Sequence, residues 1–202
     1  MNQIQTYLVM VILSGLSLSS FSQTAAESAA YQKMVQQRAA KIVGKLGIPD
    51  STAAIRVRDV IAGHYAELNT IYTKRDSGKI TSAAADSAVN RLHQPFLTKL
   101  ATNLNADQIV QVKDGLTYGV LPITYTAYQE MLPQLSTEQK KQILIWLTEA
   151  REKAMDAESS EKKHGWFKKY KGRINNYLSA AGVDMKREGE AWQERIKAAA
   201  KK

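Results

Sequence analysis

The sequence of 202 residues contains no cysteine. This absence excludes disulfide bonds, thiol nucleophiles, zinc sites of the finger type and lipid attachment to an N-terminal cysteine. Hydrophobic residues make up 44% of the chain, which is enough to bury a core without covalent or metal supports. The composition therefore predicts a domain held together by apolar packing.

Histidine is scarce, with three residues in the chain. Glu161 and His164 have the spacing of one ligand pair in a di-iron helix bundle, but such a site needs a second Glu-x-x-His pair. Neither His64 nor His93 follows a glutamate at that spacing. We therefore expect no metal and no cofactor. His64 lies on the apolar face of its helix and is expected to be a hydrogen-bonded core residue.

Catalytic motifs are also missing. The sequence has no Gly-x-Ser-x-Gly elbow, no glycine loop that could cradle a phosphate and no Walker-type lysine. Aspartate and glutamate are plentiful on predicted helices, where they usually form a solvated face. The sequence therefore identifies no catalytic residue.

Long apolar runs are absent apart from Tyr7 to Leu18, which is too short to span a bilayer. Small residues at Ser20 and Ser22 follow this run, as a signal peptidase requires. We expect a signal peptide at 1–22, a flexible leader at 23–30 and a single helical domain at 31–202. The mature protein would then be periplasmic or secreted and would have no membrane span. A buried N-terminal helix is the alternative.

Positive charge is concentrated near the C-terminus. The chain carries a net charge of +9, and residues 161–202 hold 12 Lys and Arg against 5 Asp and Glu. Such a surface attracts polyanions. Because the protein is expected outside the cytoplasm, an oligosaccharide or another polyanionic ligand is the expected partner, and nucleic acid is not.

The remaining sequence predicts helices. Apolar residues recur at steps of three and four, for example at Val35, Ala39 and Ile42. Asn105 and Ser136 each precede a glutamine by three residues, which is the spacing of a capping box. Pro95 marks either a kink or the start of a new helix. We predict an all-α, irregular bundle of six to eight helices.

One segment departs from this pattern. Residues 116–128 combine Gly119 and Pro122 with Thr, Tyr and Val, so they are predicted to form a connection between helices, in part extended. Loops on a rigid scaffold often carry binding groups. Tyr118, Tyr125 and Tyr128 are therefore candidate ligand-binding residues, although tyrosines that fill the core explain the segment equally well.

Residues 162–177 present two stripes at helical spacing. The first consists of apolar residues for the core: Phe167, Tyr170, Ile174 and Leu178. The second consists of Trp166, Lys169, Arg173 and Tyr177, with His164, Lys171, Asn175 and Asn176 beside it. Aromatic rings stack on sugar faces and arginine pairs with a carboxylate, so this stripe suits an acidic sugar. A solvated basic face is the alternative.

Three sequence blocks resemble a secreted bacterial family that is catalogued as a domain of unknown function, with a suggested sugar-binding role. The blocks are Thr117–Tyr125, Ala150–Asp156 and Lys169–Leu178. The resemblance extends from about Tyr31 to Lys197, and its members tend to lie among genes for polysaccharide breakdown. The resemblance implies an exported carbohydrate-binding or carbohydrate-processing accessory protein. It identifies no catalytic residue in this sequence.

The two capping boxes are also similar to the paired Leu-Thr-x-x-Gln motifs of periplasmic helical chaperones, with Asn105 and Ser136 in place of the threonines. A holdase-type chaperone is therefore one alternative function. A polysaccharide lyase or hydrolase that uses His, Tyr and Arg is another. The expected ligand of an accessory protein is an acidic oligosaccharide.

Overall fold

A computed structural model describes residues 28–200, and these residues form eight α-helices without a β-strand. Helix α1 covers residues 28–43. The others are α2 (Ser51–Asp76), α3 (Ser82–Ala101), α4 (Ala106–Leu116), α5 (Val120–Met131), α6 (Thr137–Met155), α7 (Ser160–Ala180) and α8 (Met185–Ala199). The predicted all-α class is confirmed. The predicted signal peptide lies outside the described residues, and residues 28–30 of the predicted leader belong to α1.

Capping side chains fix where most of these helices begin. Both predicted capping boxes are present: Asn105 and Ser136 accept from the backbone of Gln108 and Gln139, whose side chains accept in return. Each box satisfies N–H groups that have no partner within the helix. Asp184 caps α8, where its side chain accepts from the backbone of Arg187.

The prediction of a partly extended connection at residues 116–128 is wrong. The turn comprises Thr117 to Gly119, and α5 begins at Val120. Pro122 is tolerated because it lies in the first turn of α5, where a backbone N–H has no acceptor within the helix. Gly119 takes a left-handed conformation (φ 66°), which redirects the chain from α4 into α5. The segment is thus a sharp corner followed by a helix.

Pro95 lies inside α3, which continues from Ser82 to Ala101. Phe96 and Leu100, which follow the proline, are buried. Packing of these residues against α1 and α2 holds the helix together past the proline. Pro95 therefore starts no new helix.

Two apolar clusters form the core. The first joins α1 to α4 and includes Ile61, Leu100 and Leu116. The second joins α5, α6 and α7 and includes Leu147, Phe167 and Ile174. Met155, the last residue of α6, packs into the first cluster, so α6 connects the two. Helices α6 and α7 pack closely against each other.

Lys163, a buried residue near the start of α7, bonds to the ends of two other helices. Its ammonium donates to the carbonyl oxygens of Leu116 at 2.9 Å and Met155 at 3.1 Å, the last residues of α4 and α6. A cation is favourable at a helix C-terminus, where carbonyl groups lack partners. This buried lysine therefore fixes where three helices meet.

The last helix, α8, packs on α5 and α7 but buries no side chain fully. Arg195 holds it by donating to the carbonyl oxygens of Glu130 and Met131. None of the helices between residues 28 and 200 has the length and hydropathy needed to cross a membrane.

Candidate functional site

A polar cleft of about 600 Å³ lies where α2, α3, α6 and the start of α7 meet. Its walls combine charged, polar and aromatic side chains, among them Tyr72, Arg75, Asn90, His93, Glu152, Asp156, Lys162 and Trp166. Clefts of this size, with convergent polar groups, are the usual place for ligand binding in a protein. We therefore treat this cleft as the candidate site.

Asp156 lies at the floor of the cleft and is buried. Its two carboxylate oxygens accept from different histidines: Nε2 of His64 at 2.8 Å and Nδ1 of His93 at 2.6 Å. Burial alone would raise the pKa of Asp156, but the hydrogen bonds from the two histidines lower it below its ordinary value. Asp156 is therefore a fixed anion at neutral pH.

Glu152 lies one helical turn before Asp156. It accepts from Lys113 of α4 at 2.8 Å, and Nε2 of His93 is 3.4 Å away. Burial would raise the pKa of Glu152, yet the hydrogen bonds from His93 and Lys113 lower it to about 2. The neighbouring Arg151 is buried and pairs with Asp114 at 3.0 Å. Behind the wall of the cleft, Glu152 thus belongs to a network of ion pairs that also includes Lys113, Arg151 and Asp114.

His93 bridges the two carboxylates. Hydrogen bonds to Asp156 and Glu152 raise its pKa to about 9, against the opposing effect of burial. The imidazole is therefore protonated at neutral pH, and both ring nitrogens donate. It can neutralise an anion or donate a proton, but it has no lone pair with which to accept one.

His64 is buried, and its ring stacks on Phe96 with centroids 3.9 Å apart. This geometry confirms the prediction that it is a hydrogen-bonded core residue. It supports the cleft from behind by holding Asp156.

The opposite wall is formed by Tyr72, Arg75 and Glu158. The Tyr72 hydroxyl donates to the backbone oxygen of Asp156 at 2.7 Å, and the guanidinium of Arg75 pairs with Asp76 and Glu158. Burial, together with the charges of Glu158 and Asp156, raises the pKa of Tyr72 to about 12. The phenol therefore keeps its proton at neutral pH.

The predicted stripe on α7 forms one surface with α6 and meets the cleft at Trp166. The ammonium of Lys169 lies 5.3 Å from the Trp166 ring. The guanidinium of Arg173 lies 4.5 Å from the Trp146 ring and 3.6 Å from Glu149. We call the surface made by Trp166, Lys169, Arg173, Tyr177 and Trp146 the aromatic face.

Tyr177 completes the aromatic face. Its ring meets the edge of Trp146 with centroids 5.3 Å apart, and its side chain is half-buried. Trp146 was not among the predicted residues, because it lies on another helix. The structure thus unites the predicted stripe with a second tryptophan.

The remaining predicted residues lie elsewhere. His164 and Lys171 are exposed on α7, where His164 stacks on Tyr118 with centroids 5.4 Å apart, and Asn176 is also exposed. Tyr125 is half-buried against the second core cluster. Tyr128 is buried in the second core cluster, and its hydroxyl donates to Asn175 at 2.6 Å.

Sequence reasoning missed the cleft itself. Its central groups, His93 and Asp156, are 63 residues apart in the chain. One local signal was present: Glu152 and Asp156 are spaced one helical turn apart, so both carboxylates share a face of α6. Among residues 28–200, no three His, Cys, Asp or Glu side chains are grouped so that they could hold a metal ion.

These features define an all-helical protein with a polar cleft built around a buried histidine–aspartate network. The chain belongs to a family described as a protein of unknown function, DUF3826, which matches residues 32–85 and 77–198. This match confirms membership of a family of unknown function. No curated protein matches the chain.

Proposed function

We propose that this protein is an exported accessory protein that binds acidic oligosaccharides along the aromatic face and in the adjoining cleft. The observation that carries the proposal is the position of Trp166, which lines the cleft and also lies beneath Lys169. An indole beside a lysine and a polar cleft offers a stacking surface, a charge for a carboxylate and partners for hydroxyl groups.

The charge around Trp166 favours an acidic sugar. The same helix carries four exposed lysines near it: Lys162, Lys168, Lys169 and Lys171. Arg173, one helical turn beyond Lys169, keeps more than half of its side chain exposed although it pairs with Glu149. These cations can pair with the carboxylates of successive sugar units without first breaking a buried ion pair.

The cleft suits sugar hydroxyl groups. Each hydroxyl both donates and accepts, and the cleft offers two carboxylates that accept, Asp156 and Glu152, and the amide of Asn90, which can do both. Because the two carboxylates are held by their own network, they lose little freedom when a ligand arrives. The cleft can therefore orient a sugar unit beside Trp166.

Binding is favoured over a lyase reaction in which His93 or Tyr72 is the base. The cleft brings together Tyr72, Arg75 and His93, the residue types expected of a lyase. However, the raised pKa values of His93 and Tyr72 keep both groups protonated at neutral pH, so neither can remove a proton from a sugar ring. Production of an unsaturated, ultraviolet-absorbing product from a uronate polymer would contradict this conclusion.

The expected export rests on the predicted signal peptide. Protein isolated from its native host is expected to begin at Gln23, within two residues, when its N-terminus is sequenced. A mature protein that keeps Met1 would contradict the proposed location outside the cytoplasm.

Calorimetric titration with oligogalacturonates tests the binding proposal. We expect Trp166→Ala to weaken binding by about tenfold, because a stacking surface is lost. Trp192→Ala is the matched control, since Trp192 lies on α8 away from the cleft and should leave binding unchanged. Equal affinities for the two variants and the natural protein would contradict the proposal.

Arg173 provides the second variant. Arg173→Lys keeps the charge but loses the planar fork that holds a carboxylate through two parallel hydrogen bonds. We expect weaker binding of oligogalacturonates, whereas Arg187→Lys on α8 should have no effect. Thermal melts of each variant show whether a loss of binding reflects a loss of folding.

A further inference from the structure

A second cavity, of about 340 Å³, lies on the other side of the segment that joins α6 to α7. It shares Tyr72, Ala157 and Glu158 with the cleft but faces α1 and the corner between α4 and α5. Its walls include two cations, Arg38 and Lys163, and the aromatic rings of Tyr31, Tyr65 and Tyr118. Its volume is near the lower end of the range of about 300–1,000 Å³ that is typical of small-molecule pockets.

Lys163 lies deep in this cavity, with 5% of its surface exposed. Its two hydrogen bonds to backbone carbonyl groups leave one N–H without a hydrogen-bond acceptor, and the ammonium lies 5.5 Å from the centre of the Tyr65 ring. Burial lowers the pKa of Lys163 to about 8, although the charge of Asp156 raises it. The amine is therefore still mostly protonated at neutral pH.

Arg38, on the exposed side of α1, lines the same cavity as Lys163, and its charge lowers the pKa of that lysine further. Among residues 28–200, neither cation forms an ion pair with a carboxylate. Asp76 and Glu158 line the cavity, but both pair with Arg75. Arg38 and Lys163 therefore keep donors that an anion entering the cavity could use.

The aromatic residues in the wall of the cavity can contact the uncharged part of an anionic ligand. Burial raises the pKa of Tyr65 to about 12, so its hydroxyl keeps a proton to donate. Tyr118 has a left-handed backbone (φ 60°), which is uncommon for a residue other than glycine. Its ring is about half exposed at the cavity and stacks on His164. Strain of this kind at a cavity is typical of a ligand-contacting residue.

From this arrangement we infer that the cavity binds a small hydroxylated carboxylate, of the size of a single hexuronic acid, between Arg38 and Lys163. The carboxylate accepts from the guanidinium of Arg38 and from the free N–H of Lys163. Hydroxyl groups of the ligand contact Tyr65 and Asn69, and its ring lies against Tyr118. This site is separate from the aromatic face and does not depend on the proposed binding of oligosaccharides.

Titration of the full chain with monomeric galacturonate, up to about 10 mM, tests the inference. Galactose is the reference ligand, because it has a similar ring without the carboxylate. We expect saturable binding of galacturonate and at least tenfold weaker binding of galactose, since the charged hydrogen bonds would be lost. Equal affinity for the two sugars, or no saturation by galacturonate, would overturn the inference.

Variants locate the site. Arg38→Gln should weaken galacturonate binding by at least about tenfold, while Lys41→Gln removes an exposed charge from the same helix and should change it by less than about twofold. Lys163→Met should abolish binding. If Lys163→Met fails to fold because the lysine joins helix ends, Arg38→Gln decides the outcome, and unchanged affinity in that variant overturns the inference.

Trp166→Ala separates the two sites. It should leave the affinity for monomeric galacturonate unchanged, because Trp166 does not line the cavity. A loss of monomer binding in Trp166→Ala would show that the monomer binds at the aromatic face, and it would overturn the inferred binding in the cavity. If oligogalacturonates bind and the monomer does not, the cavity is rejected and the proposed oligosaccharide function stands.

Discussion

Nδ1 of His93 lies 2.6 Å from Oδ2 of Asp156, and this contact joins α3 to the end of α6. The other carboxylate oxygen accepts from His64 of α2. One buried carboxylate thus holds together three helices from both core clusters. The cleft depends on this contact, because it fixes the positions of the two walls.

The first prediction concerns the pH dependence of stability. The pKa of His93 is raised from 6.5 to about 9, so its contribution is complete below pH 6.5 and is lost as the pH rises through 9. The pKa of Glu152 is lowered from 4.5 to about 2, so its contribution is complete above pH 4.5 and is lost as the pH falls. Stability should therefore be highest between these limits.

Urea denaturation across the pH range measures this curve. His93→Gln should flatten the decline between pH 6.5 and pH 8, the part of the alkaline range below the folded-state pKa of Lys163. A decline of the same slope in His93→Gln and in the natural protein would show that another group causes it.

The second prediction concerns Asp156→Asn. The amide has nearly the same shape but no charge, so the protonated His93 would lose its principal partner. We expect a loss of about 3 kcal/mol of unfolding free energy, as when one member of a buried ion pair is removed. The pKa of His93, followed by NMR, should fall toward its ordinary value.

Asp184→Asn is the matched control for Asp156→Asn. Asp184 is exposed and caps α8, and asparagine caps helices as well as aspartate does, so the change should be within about 0.5 kcal/mol. Equal losses of unfolding free energy in the two variants would contradict the conclusion that the ion pair of Asp156 with His93 stabilises the fold.

Local features of this fold were predictable from sequence. The capping boxes at Asn105 and Ser136 depend on residues three positions apart, and the core stripe on α7 depends on helical spacing alone. Both signals are complete within one short segment. The start of α5 was missed because Gly119 and Pro122 are unfavourable in most helices but suit a corner and a first turn.

The candidate site was less accessible to sequence reasoning. The aromatic face was half predicted, since its α7 residues share a stripe, whereas Trp146 comes from α6. At the cleft, Asp156 meets His93 and the underlying His64 only through tertiary packing. No spacing within the chain encodes such a contact, although the one-turn spacing of Glu152 and Asp156 marked one wall.

The third prediction concerns Lys163→Met. Removal of the ammonium leaves the buried carbonyl groups of Leu116 and Met155 without a donor, but it also removes a buried charge. The lost hydrogen bonds outweigh this gain, so we expect a net loss of about 1–3 kcal/mol at neutral pH. Lys168→Met, at an exposed position of the same helix, should change stability by less than about 0.5 kcal/mol.

The difference in unfolding free energy between Lys163→Met and the natural protein should depend on pH. This dependence separates the loss of the hydrogen bonds from the removal of the buried charge. The pKa of Lys163 is lowered from 10.5 in the unfolded chain to about 8 in the folded protein, so between these values the lysine is more protonated in the unfolded chain than in the folded one. The free energy of unfolding of the natural protein therefore receives a contribution from this lysine that increases as the pH rises from 8 to 10.5. Lys163→Met lacks this gain. The difference between the two proteins should therefore increase as the pH rises from 8 to 10.5, and a constant difference would contradict the assignment.

The fourth prediction concerns the corner between α4 and α5. A methyl group at Gly119 would have room, since the nearest atom is 3.9 Å away, so the cost of Gly119→Ala arises from the left-handed backbone alone. We expect a loss of about 1–2 kcal/mol. Gly172→Ala is the opposite case, because Gly172 lies within α7 with nothing within 4 Å of the added methyl group. That change should stabilise the protein by about 0.5–1 kcal/mol.

Tyr118→Asn completes this comparison. Asparagine adopts the left-handed region more readily than tyrosine does, which offsets the loss of the stacking on His164. We expect the unfolding free energy of Tyr118→Asn to stay within about 1 kcal/mol of that of the natural protein. The lost stacking costs about 0.5–1.5 kcal/mol, and the lower cost of a left-handed backbone at asparagine offsets a similar amount. Urea denaturation of the three variants measures these changes. A larger loss in Tyr118→Asn than in Gly119→Ala would show that the Tyr118 ring, and not the backbone of Gly119, holds the corner.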